Sequence, residues 1–351
     1  MEKIRFAVIG SGWRSLFYLR IAKALPEIFE ITCVKVRNEE KKRFIEKSYG
    51  YKVVMSDEEV FELNPDFCVI AVYKKDLASV SRFYLEHGMD VLSETPLSLD
   101  LEELEKFKLL IDGGRCKFMT AEQYYLYPKF SALIKILESG IIGRRSYLRI
   151  GVCHEYHGFS LARCILGYNG IFNPIFARRQ EYELRQTFSR YERFNDLSMK
   201  ESNREIAYFE TRDGRVLLED FTPESYRSPI RPISFYVEGE KGCCKDFTFY
   251  YLDDKNETHV VPLKIESHMV KRNDINPLQN EVEVIDRIYF EDECVFENKF
   301  PQAILSEDEY AITNVLINMK EFIDGAMPSY PFYNSYMDVK NTSLLYKKLG
   351  F

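Results

Sequence analysis

The sequence predicts an α/β protein, with a doubly wound parallel sheet in its N-terminal part and an α+β domain with an open, mostly antiparallel sheet after it. Three observations support this. The 351 residues exceed what one core comfortably supports, so two domains are expected. Strands and helices alternate through the first third, which is typical of a parallel sheet with crossover helices. After residue 123 the pattern changes to a helix and then long alternating strands. We therefore predict domains at 1–120 and 121–351.

Composition and charge narrow the class of ligand. The net charge is -7 and the pI is near 5.5. The composition therefore gives no indication of the clustered Lys and Arg side chains that bind nucleic acid or an anionic membrane. A small soluble ligand is favoured. The eight cysteines show no C-x-x-C spacing, and several lie in apolar strands, as free thiols do. With no cleavable leader and no apolar run of about 20 residues, we expect a cytoplasmic protein.

The elements of the first part follow from local patterns. Ser56 and Glu59 have the spacing of a capping box, so a short helix should begin there. Gly88 should end one helix, and Pro96 should open the turn before another. The predicted strands are 4–10, 29–36, 67–72, 90–94 and 116–123, in a sheet of about six, and the predicted helices are 14–25, one ending at Tyr49, one within 74–88, and 100–111.

The second part has two clear signals. Residues 205–221 alternate in polarity around Asp213-Gly214, which favours a hairpin with a tight turn. Further strands of the same character follow, and residues 308–325 have the pattern of a helix. An open antiparallel sheet with helices on one face is therefore expected.

The stretch "VIGSGWRS" carries the first chemical motif. Gly10-x-Gly12-x-x-Ser15 follows a strand and opens a helix, the context in which glycines let the backbone approach a pyrophosphate at the helix N-terminus. Ser15 is a small residue in place of the third glycine. We predict a Rossmann dinucleotide-binding domain. The predicted cofactor-binding residues are Gly10, Gly12, Trp13, Arg14, Ser15, Arg37, Val72 and Glu94.

The end of the second strand bears on the choice between NAD and NADP. Such sites usually place an acid there for the ribose hydroxyls, but this chain has Val36-Arg37-Asn38. Arg37 could pair with a 2′-phosphate, so NADP is slightly favoured. The alternative is that Arg37 is a solvated residue at a helix start.

Four stretches, "FAVIGSGWRS", "NPDFCVIAVYKKDLASVSRFYLEHGMDVLSETPLS", "YPKFSALIKILESGIIG" and "HGFSLARCILG", resemble the glucose-fructose oxidoreductase, inositol dehydrogenase and rhizopine catabolism (Gfo/Idh/MocA) family in order and approximate spacing. The resemblance extends along nearly the whole chain. It implies an NAD(P)-binding Rossmann domain, a C-terminal sheet often used for oligomer contacts, and a sugar, polyol or related small molecule as substrate.

The catalytic residues depart from the family pattern. Members typically carry Glu-Lys-Pro and His-x-x-Asp, in which the lysine and histidine handle the proton that accompanies hydride transfer. This chain has Glu94-Thr95-Pro96 and His157-x-x-Ser160. Threonine has no group that titrates near pH 7, so the proton-handling role shifts to His157, whose residue type titrates near neutrality. The predicted catalytic residues are His157, Glu94, Thr95, Tyr156 and His154.

Several alternatives stay open. The chain could be a dinucleotide-binding sensor or accessory subunit, or a sugar lyase or glycosidase with transient oxidation, instead of a net oxidoreductase. Glu94 could be structural, holding the cofactor-side loop. A metal site is not indicated, because "HEYH" lacks the H-E-x-x-H spacing and no third ligand is signalled. We expect a homo-oligomer, formed through the C-terminal sheet.

Overall fold

The computed structural model of the chain describes residues 2–188, 192–226, 228–272 and 281–350. They group into two compact units. The first contains Met1–Gln123 and Gln302–Tyr336, and the second contains Tyr124–Pro301 and Met337–Phe351. The division at residue 120 stays a prediction about domains, and the structure differs from it in grouping 302–336 with the N-terminal segment.

A six-stranded parallel sheet forms the centre of the first unit, in the order β3-β2-β1-β4-β5-β6. Its strands are β1 (Ile4–Ile9), β2 (Phe29–Lys35), β3 (Val53–Val54), β4 (Phe67–Ile70), β5 (Val91–Ser93) and β6 (Phe118–Thr120). The strand order reverses between β1 and β4, and ligands of such sheets bind beyond the carboxyl ends of the strands at that point. The predicted Rossmann-type sheet is confirmed.

The helices of the first unit follow the predicted pattern with small changes of bounds. They are α1 (Ser15–Ala24), α2 (Glu39–Tyr49), α3 (Asp57–Glu62), α4 (Leu77–Glu86), α5 (Leu101–Asp112) and α8 (Glu307–Ile323). The predicted capping box of Ser56 and Glu59 is present before α3, and a second one, Ser306 with Glu309, begins α8. The predicted helix within 74–88 is a 3-10 turn, Lys74–Asp76, followed by α4.

The central strands are apolar because both faces of the sheet are covered. Phe6, Ala7 and Val8 of β1 are fully buried, as are Cys68 and Val69 of β4. A parallel sheet with helices on both faces requires this near-continuous burial. It also explains why cysteines are found in these strands as small apolar side chains, and all eight cysteines of the chain are free thiols.

The second unit contains an eight-stranded sheet in the order β14-β13-β12-β11-β7-β10-β9-β8 and a three-stranded sheet in the order β15-β16-β17. The eight-stranded sheet is mostly antiparallel, with β7 and β10 as a parallel pair. Its strands are β7 (Arg145–Gly151), β8 (Asn173–Leu184), β9 (Lys200–Glu210), β10 (Val216–Phe221), β11 (Ser234–Gly239), β12 (Gly242–Lys245), β13 (Thr248–Leu252) and β14 (Thr258–Pro262). The small sheet consists of β15 (Lys264–Lys271), β16 (Glu281–Phe290) and β17 (Glu293–Glu297).

The predicted hairpin around Asp213-Gly214 joins β9 to β10. Val216 lies opposite Glu210, and Gly214 adopts φ +83°, the left-handed conformation that glycine accommodates without a Cβ clash. The prediction of this hairpin is confirmed. Its register places alternate residues of β10 on opposite faces of the sheet, which matters for Glu219 below.

Three further helices complete the described chain: α6 (Pro128–Glu138), α7 (Glu155–Leu166) and α9 (Phe332–Leu349), the last of which crosses the division at residue 336. Helix α7 is held to α9 by a buried ion pair, in which Arg163 Nε and Nη2 donate to the Asp338 carboxylate at 2.7 Å each. In the part of the chain that the structure describes, no helix is both long and apolar enough to span a membrane.

Candidate active site

The glycine turn after β1 has the geometry that a dinucleotide loop requires. Gly10 adopts φ +128°, and a Cβ at this position would lie 2.3 Å from the Ala71 carbonyl oxygen, so only glycine fits. A Cβ on Gly12 would have no atom within 4 Å, so open space adjoins this backbone. Ser15, in the third glycine position, is fully buried and donates its hydroxyl to the Ala71 carbonyl at 3.0 Å. The turn therefore fits a pyrophosphate at the N-terminus of α1, whose first turn contains no acidic side chain.

Arg14 lies at the start of α1, between two carboxylates. Its Nη1 donates to Asp308 at 2.9 Å, and its Nε lies 3.6 Å from Glu94 Oε2. The other Glu94 oxygen accepts the hydroxyl of Tyr18 at 2.5 Å, and the Thr95 N–H donates to Oε2 at 3.4 Å. Burial raises the pKa of Glu94, and the neighbouring Arg14 cation acts in the opposite direction. Glu94 thus contacts Tyr18, Arg14 and the Thr95 N–H, and its predicted role at the site stays a prediction.

Trp13, the single tryptophan, lies on the glycine turn with 36% of its surface exposed. Its ring contacts Phe17 edge-on, with centroids 4.6 Å apart, and the Arg14 guanidinium lies 5.3 Å from the indole centroid. A molecule bound on the turn would change the surroundings of this indole. Trp13 is therefore a natural optical reporter for the turn.

Arg37 lies directly beyond β2, as predicted, and its side chain is 71% exposed. Its Nη2 donates to Asp76 at 3.0 Å, so part of the guanidinium charge is already compensated. The next residue, Asn38, caps α2 by accepting the N–H of Lys41. An exposed guanidinium in a surface ion pair of this kind can exchange its carboxylate partner for a phosphate.

Val72 and Thr95 follow β4 and β5 within the first unit. Both are half-buried, and Val72 lies in the loop that begins at Ala71. The peptide bond from Thr95 to Pro96 is cis. Their positions beyond the carboxyl ends of adjacent parallel strands are those from which such sheets contact ligands.

In the second unit, His157 lies in the first turn of α7 and is only 7% exposed. Three rings surround it. The Tyr156 ring centroid lies 4.2 Å away, that of Tyr124 4.7 Å away, and that of His154 6.0 Å away. The structure therefore brings three of the predicted catalytic residues together, and it adds Tyr124, which follows β6.

His154 precedes α7 and is held by Tyr226, which sequence reasoning missed. The Tyr226 hydroxyl accepts the backbone N–H of His154 at 3.1 Å and lies 2.5 Å from its ring Nδ1. On its other side, His154 Nε2 lies 3.9 Å from Glu155 Oε2. Glu155 Oε1 accepts the hydroxyl of Tyr346 on α9, so polar groups of Tyr226, His154, Glu155 and Tyr346 lie next to one another.

Ser160 occupies the position where the family pattern has aspartate. Its side chain is fully buried, and its hydroxyl oxygen makes no hydrogen bond to any residue within the described ranges. Relative to the family pattern, Thr95 replaces a cationic residue and Ser160 an anionic one, so the summed formal charge of the two positions is unchanged.

Comparison with known proteins identifies the N-terminal domain. Residues 4–121 match the Gfo/Idh/MocA family model, described as an oxidoreductase family with an NAD-binding Rossmann fold. The predicted resemblance to this family is thereby confirmed over residues 4–121, which match its NAD-binding Rossmann fold. No curated protein matches the sequence.

Solved structures share the fold of the whole chain. An oxidoreductase from Agrobacterium radiobacter in complex with NAD+, L-tartaric acid and magnesium is 13% identical, with a TM-score of 0.68 and coverage of 99% of this chain and 97% of that one. Levoglucosan dehydrogenase in complex with NADH and levoglucosan is 14% identical, with a TM-score of 0.69 and coverage of 99% and 98%. The WlbA dehydrogenase from Bordetella pertussis in complex with NADH and UDP-GlcNAcA is 14% identical, with a TM-score of 0.62 and coverage of 99% and 96%. At such identities the likeness concerns the fold.

Proposed function

We propose that this chain, whose residues 4–121 match the NAD-binding Rossmann fold of the Gfo/Idh/MocA family, oxidises or reduces a sugar, polyol or related small hydroxylated molecule with NAD(P). The observation that carries the proposal is the enclosure of His157 by Tyr124, Tyr156 and His154 at the start of α7. A buried imidazole among hydroxyl-bearing rings is suited to exchange a proton with a substrate hydroxyl.

The nicotinamide of the cofactor would supply or accept the hydride at the carbinol carbon. The residues of this chain then have to transfer one proton, that of the substrate hydroxyl group. In oxidation, His157 accepts the proton that leaves the substrate oxygen as the carbonyl forms, and in reduction it returns that proton. Tyr156 or His154 passes the proton on, and Thr95 orients a hydroxyl or water without titrating.

The substrate class rests on the ligands of structural relatives. Levoglucosan, UDP-GlcNAcA and L-tartaric acid all carry hydroxyl groups, and two of the three are acidic. A panel of polyols, sugars and sugar acids is therefore the rational starting point. NAD and NADP both belong in the assay, with NADP slightly favoured because of Arg37.

Assembly into a homo-oligomer is part of the proposal. The face of the eight-stranded sheet opposite the buried one carries apolar and aromatic side chains from several strands. In the register, Phe176, Tyr208 and Leu218 lie side by side, as do Tyr250 and Val260, while Tyr147 and Tyr236 lie between these groups with Arg149 beside them. Phe176 and Val260 are 50% and 63% exposed, which favours burial against a second copy. Light scattering on the purified protein tests this, and replacing Phe176 and Val260 by Lys should release monomers.

The test of function compares His157→Asn with His259→Asn. His259 lies on β14 and pairs with Asp253, so its replacement controls for loss of an imidazole elsewhere. We expect the wild type and His259→Asn to turn over a member of the panel, and His157→Asn to lose roughly 10²- to 10⁴-fold in kcat with cofactor affinity retained.

The other outcomes point to the alternatives. Exchangeable cofactor binding without turnover on any compound would favour the sensor or accessory subunit. Bound, non-exchanging cofactor together with elimination of a substituent would favour the lyase or glycosidase. Equal activity of His157→Asn and the wild type would contradict the acid–base role of His157.

A further inference from the structure

Glu219 on β10 is a buried carboxyl group that the proposed function does not use. Its side chain is 2% exposed, on the face of the sheet that also carries Ala207 and Phe209. Neither of its oxygens makes a hydrogen bond of normal geometry to any residue of the described ranges, although the Glu155 N–H lies near enough to favour the charged form. Buried carboxyl groups are nearly always bonded, so this exception needs an explanation.

The surroundings of Glu219 oppose a negative charge. Burial, the carboxylate of Glu205 on β9 and that of Glu155 on α7 raise its pKa to about 8, in that order of importance. Glu205 itself accepts a hydrogen bond from Arg179 Nε on β8 at 2.8 Å. From α9, Tyr346 donates its hydroxyl to Glu155, so it too is engaged. At neutral pH Glu219 is therefore mostly a neutral carboxylic acid.

The Glu219 carboxyl lies directly against the first turn of α7. A Cβ on Gly158 would be 3.2 Å from Glu219 Oε1 and 3.0 Å from the Cys153 carbonyl oxygen, so glycine is what lets the helix approach both. The preceding Glu155 adopts φ +52°, a left-handed conformation that is unfavourable for a residue with a side chain. The turn that carries His157 is thus strained and needs support from its surroundings.

We propose that Glu219 is a positioning residue for His157, and that its buried carboxyl group supports the first turn of α7. The role of His157 in the chemistry rests on the proposed function, whereas the support of the turn does not. A neutral carboxyl group is not repelled by the Cys153 carbonyl oxygen and the Glu155 carboxylate beside it. A carboxylate would repel both, and the turn should then loosen.

The first turn of α7 should therefore be ordered only below an upper pH limit. As Glu219 loses its proton above about pH 8, negative charge appears among Glu155, Glu205 and the Cys153 carbonyl. The first turn of α7 is the element free to respond, because β10 is held between β7 and β9. His154, Tyr156 and His157 would shift with it.

The test uses the full-length protein without substrate, so its outcome is separate from that of the proposed function. The histidine rings are labelled with ¹³C, and their resonances are followed from about pH 6 to about pH 10. The chain has five histidines, which keeps the spectrum assignable by single substitution. Wild type is compared with Glu219→Gln, which keeps the shape of the neutral acid, and with Glu210→Gln, an exposed acid of β9 that is remote from this turn in the register.

We expect the His157 or His154 resonance of the wild type to show a step with its midpoint near pH 8, present in Glu210→Gln and missing in Glu219→Gln. In the same series, the hydrogen-exchange protection of amides 153–160 should fall at least about tenfold across the step in wild type only. Persistence of the step in Glu219→Gln, or its absence from the wild type, would overturn the proposal.

A further variant keeps the proposal testable if Glu219→Gln does not fold. Glu205→Gln removes one of the charges that raise the Glu219 pKa, so the wild-type step should move to lower pH. A step that does not move would assign the titration to another group and would also overturn the proposal.

Discussion

The hydroxyl of Tyr226 contacts His154 twice, through the backbone N–H at 3.1 Å and the ring Nδ1 at 2.5 Å. Because the oxygen already accepts the N–H, its own hydrogen is best directed to Nδ1, which leaves the proton of a neutral ring on Nε2. That nitrogen is the one on the side of Glu155. Tyr226 thereby sets both the position and the tautomer of a predicted catalytic residue.

Tyr226→Phe should consequently lower turnover without affecting the cofactor. Losing a hydrogen bond worth about 1 kcal/mol or somewhat more corresponds to a decrease in kcat of about tenfold. The measurement is steady-state kinetics with the substrate found in the panel, alongside a cofactor titration. Tyr250→Phe, on the exposed face of β13, serves as the control. A fall in cofactor affinity that matches the fall in kcat would argue against this role.

The two glycines of the turn should respond differently to alanine. In Gly10→Ala the new Cβ would collide with the Ala71 carbonyl, so we expect misfolding of the turn and loss of stability. In Gly12→Ala the Cβ enters open space, so the fold should survive while the approach of a pyrophosphate is hindered. Quenching of Trp13 emission by NADH or NADPH reports binding in each variant. Unchanged cofactor affinity in Gly12→Ala would place the binding site elsewhere.

Arg37 and Asp76 give a paired test of cofactor preference. Arg37→Ala should weaken NADPH binding selectively, through loss of a charge-assisted contact worth about 1.5 to 3 kcal/mol. Asp76→Asn should act in the opposite direction, because it removes the carboxylate that competes for the guanidinium. Calorimetry with NADH and NADPH measures both. If each variant changes the two affinities equally, Arg37 has no role at a 2′-phosphate.

Stability should depend on pH through Glu219. Because its pKa is raised in the folded state from 4.5 to about 8, the folded protein binds the proton more tightly, and stability falls as pH rises across that window. In Glu219→Gln this contribution is missing, so relative to wild type its unfolding free energy should rise by a few kcal/mol between about pH 5 and about pH 9. Urea denaturation at several pH values is the measurement. A constant difference between the two proteins would contradict it.

The ion pair between Arg163 and Asp338 predicts a non-additive response. Both side chains are 2% exposed, so Arg163→Met removes the buried cation that neutralises the Asp338 carboxylate and should cost about 3 to 5 kcal/mol. Adding Asp338→Leu removes that charge and should restore much of the loss. Hydrogen exchange of α7 and α9 localises the effect. Additive losses in the double variant would show that the two charges do not act as a pair.

Local patterns were enough to predict most of the first unit and its cofactor turn. The glycines at 10 and 12, the capping box at Ser56 and the hairpin at Gly214 depend on neighbours within a few residues, so their spacing identifies them. His154, Tyr156 and His157 were predicted as catalytic because they lie close together in the sequence at a motif that opens a helix. The expectation that these residues cluster agrees with the ring distances around His157.

The residues that sequence reasoning missed act across long separations. Tyr226 lies 72 residues from His154, and Asp308 lies 294 residues from Arg14. No periodic pattern in the sequence indicates contacts between residues so far apart in the chain. Glu219 was hidden for another reason: an acid in a strand is usually solvated, whereas Glu219 lies on the buried face of β10 with Leu217 and Phe221. Helix α9 was not predicted, because its Asn, Thr, Ser and aromatic residues have modest helix propensity and tertiary contacts such as Arg163–Asp338 stabilise it.

The composition of the first unit from two separate segments has a consequence for biosynthesis. Arg20 of α1 is buried, and its counter-ion Glu309 follows 289 residues later in the chain. A nascent polypeptide leaves the ribosome from its N-terminus, so the dinucleotide domain emerges first but cannot neutralise this guanidinium until α8 has been translated. Until α8 has been translated, we expect the N-terminal segment of the first unit to stay partly folded, in a form that a chaperone could recognise. A fragment that ends at residue 123 would remain in that condition permanently.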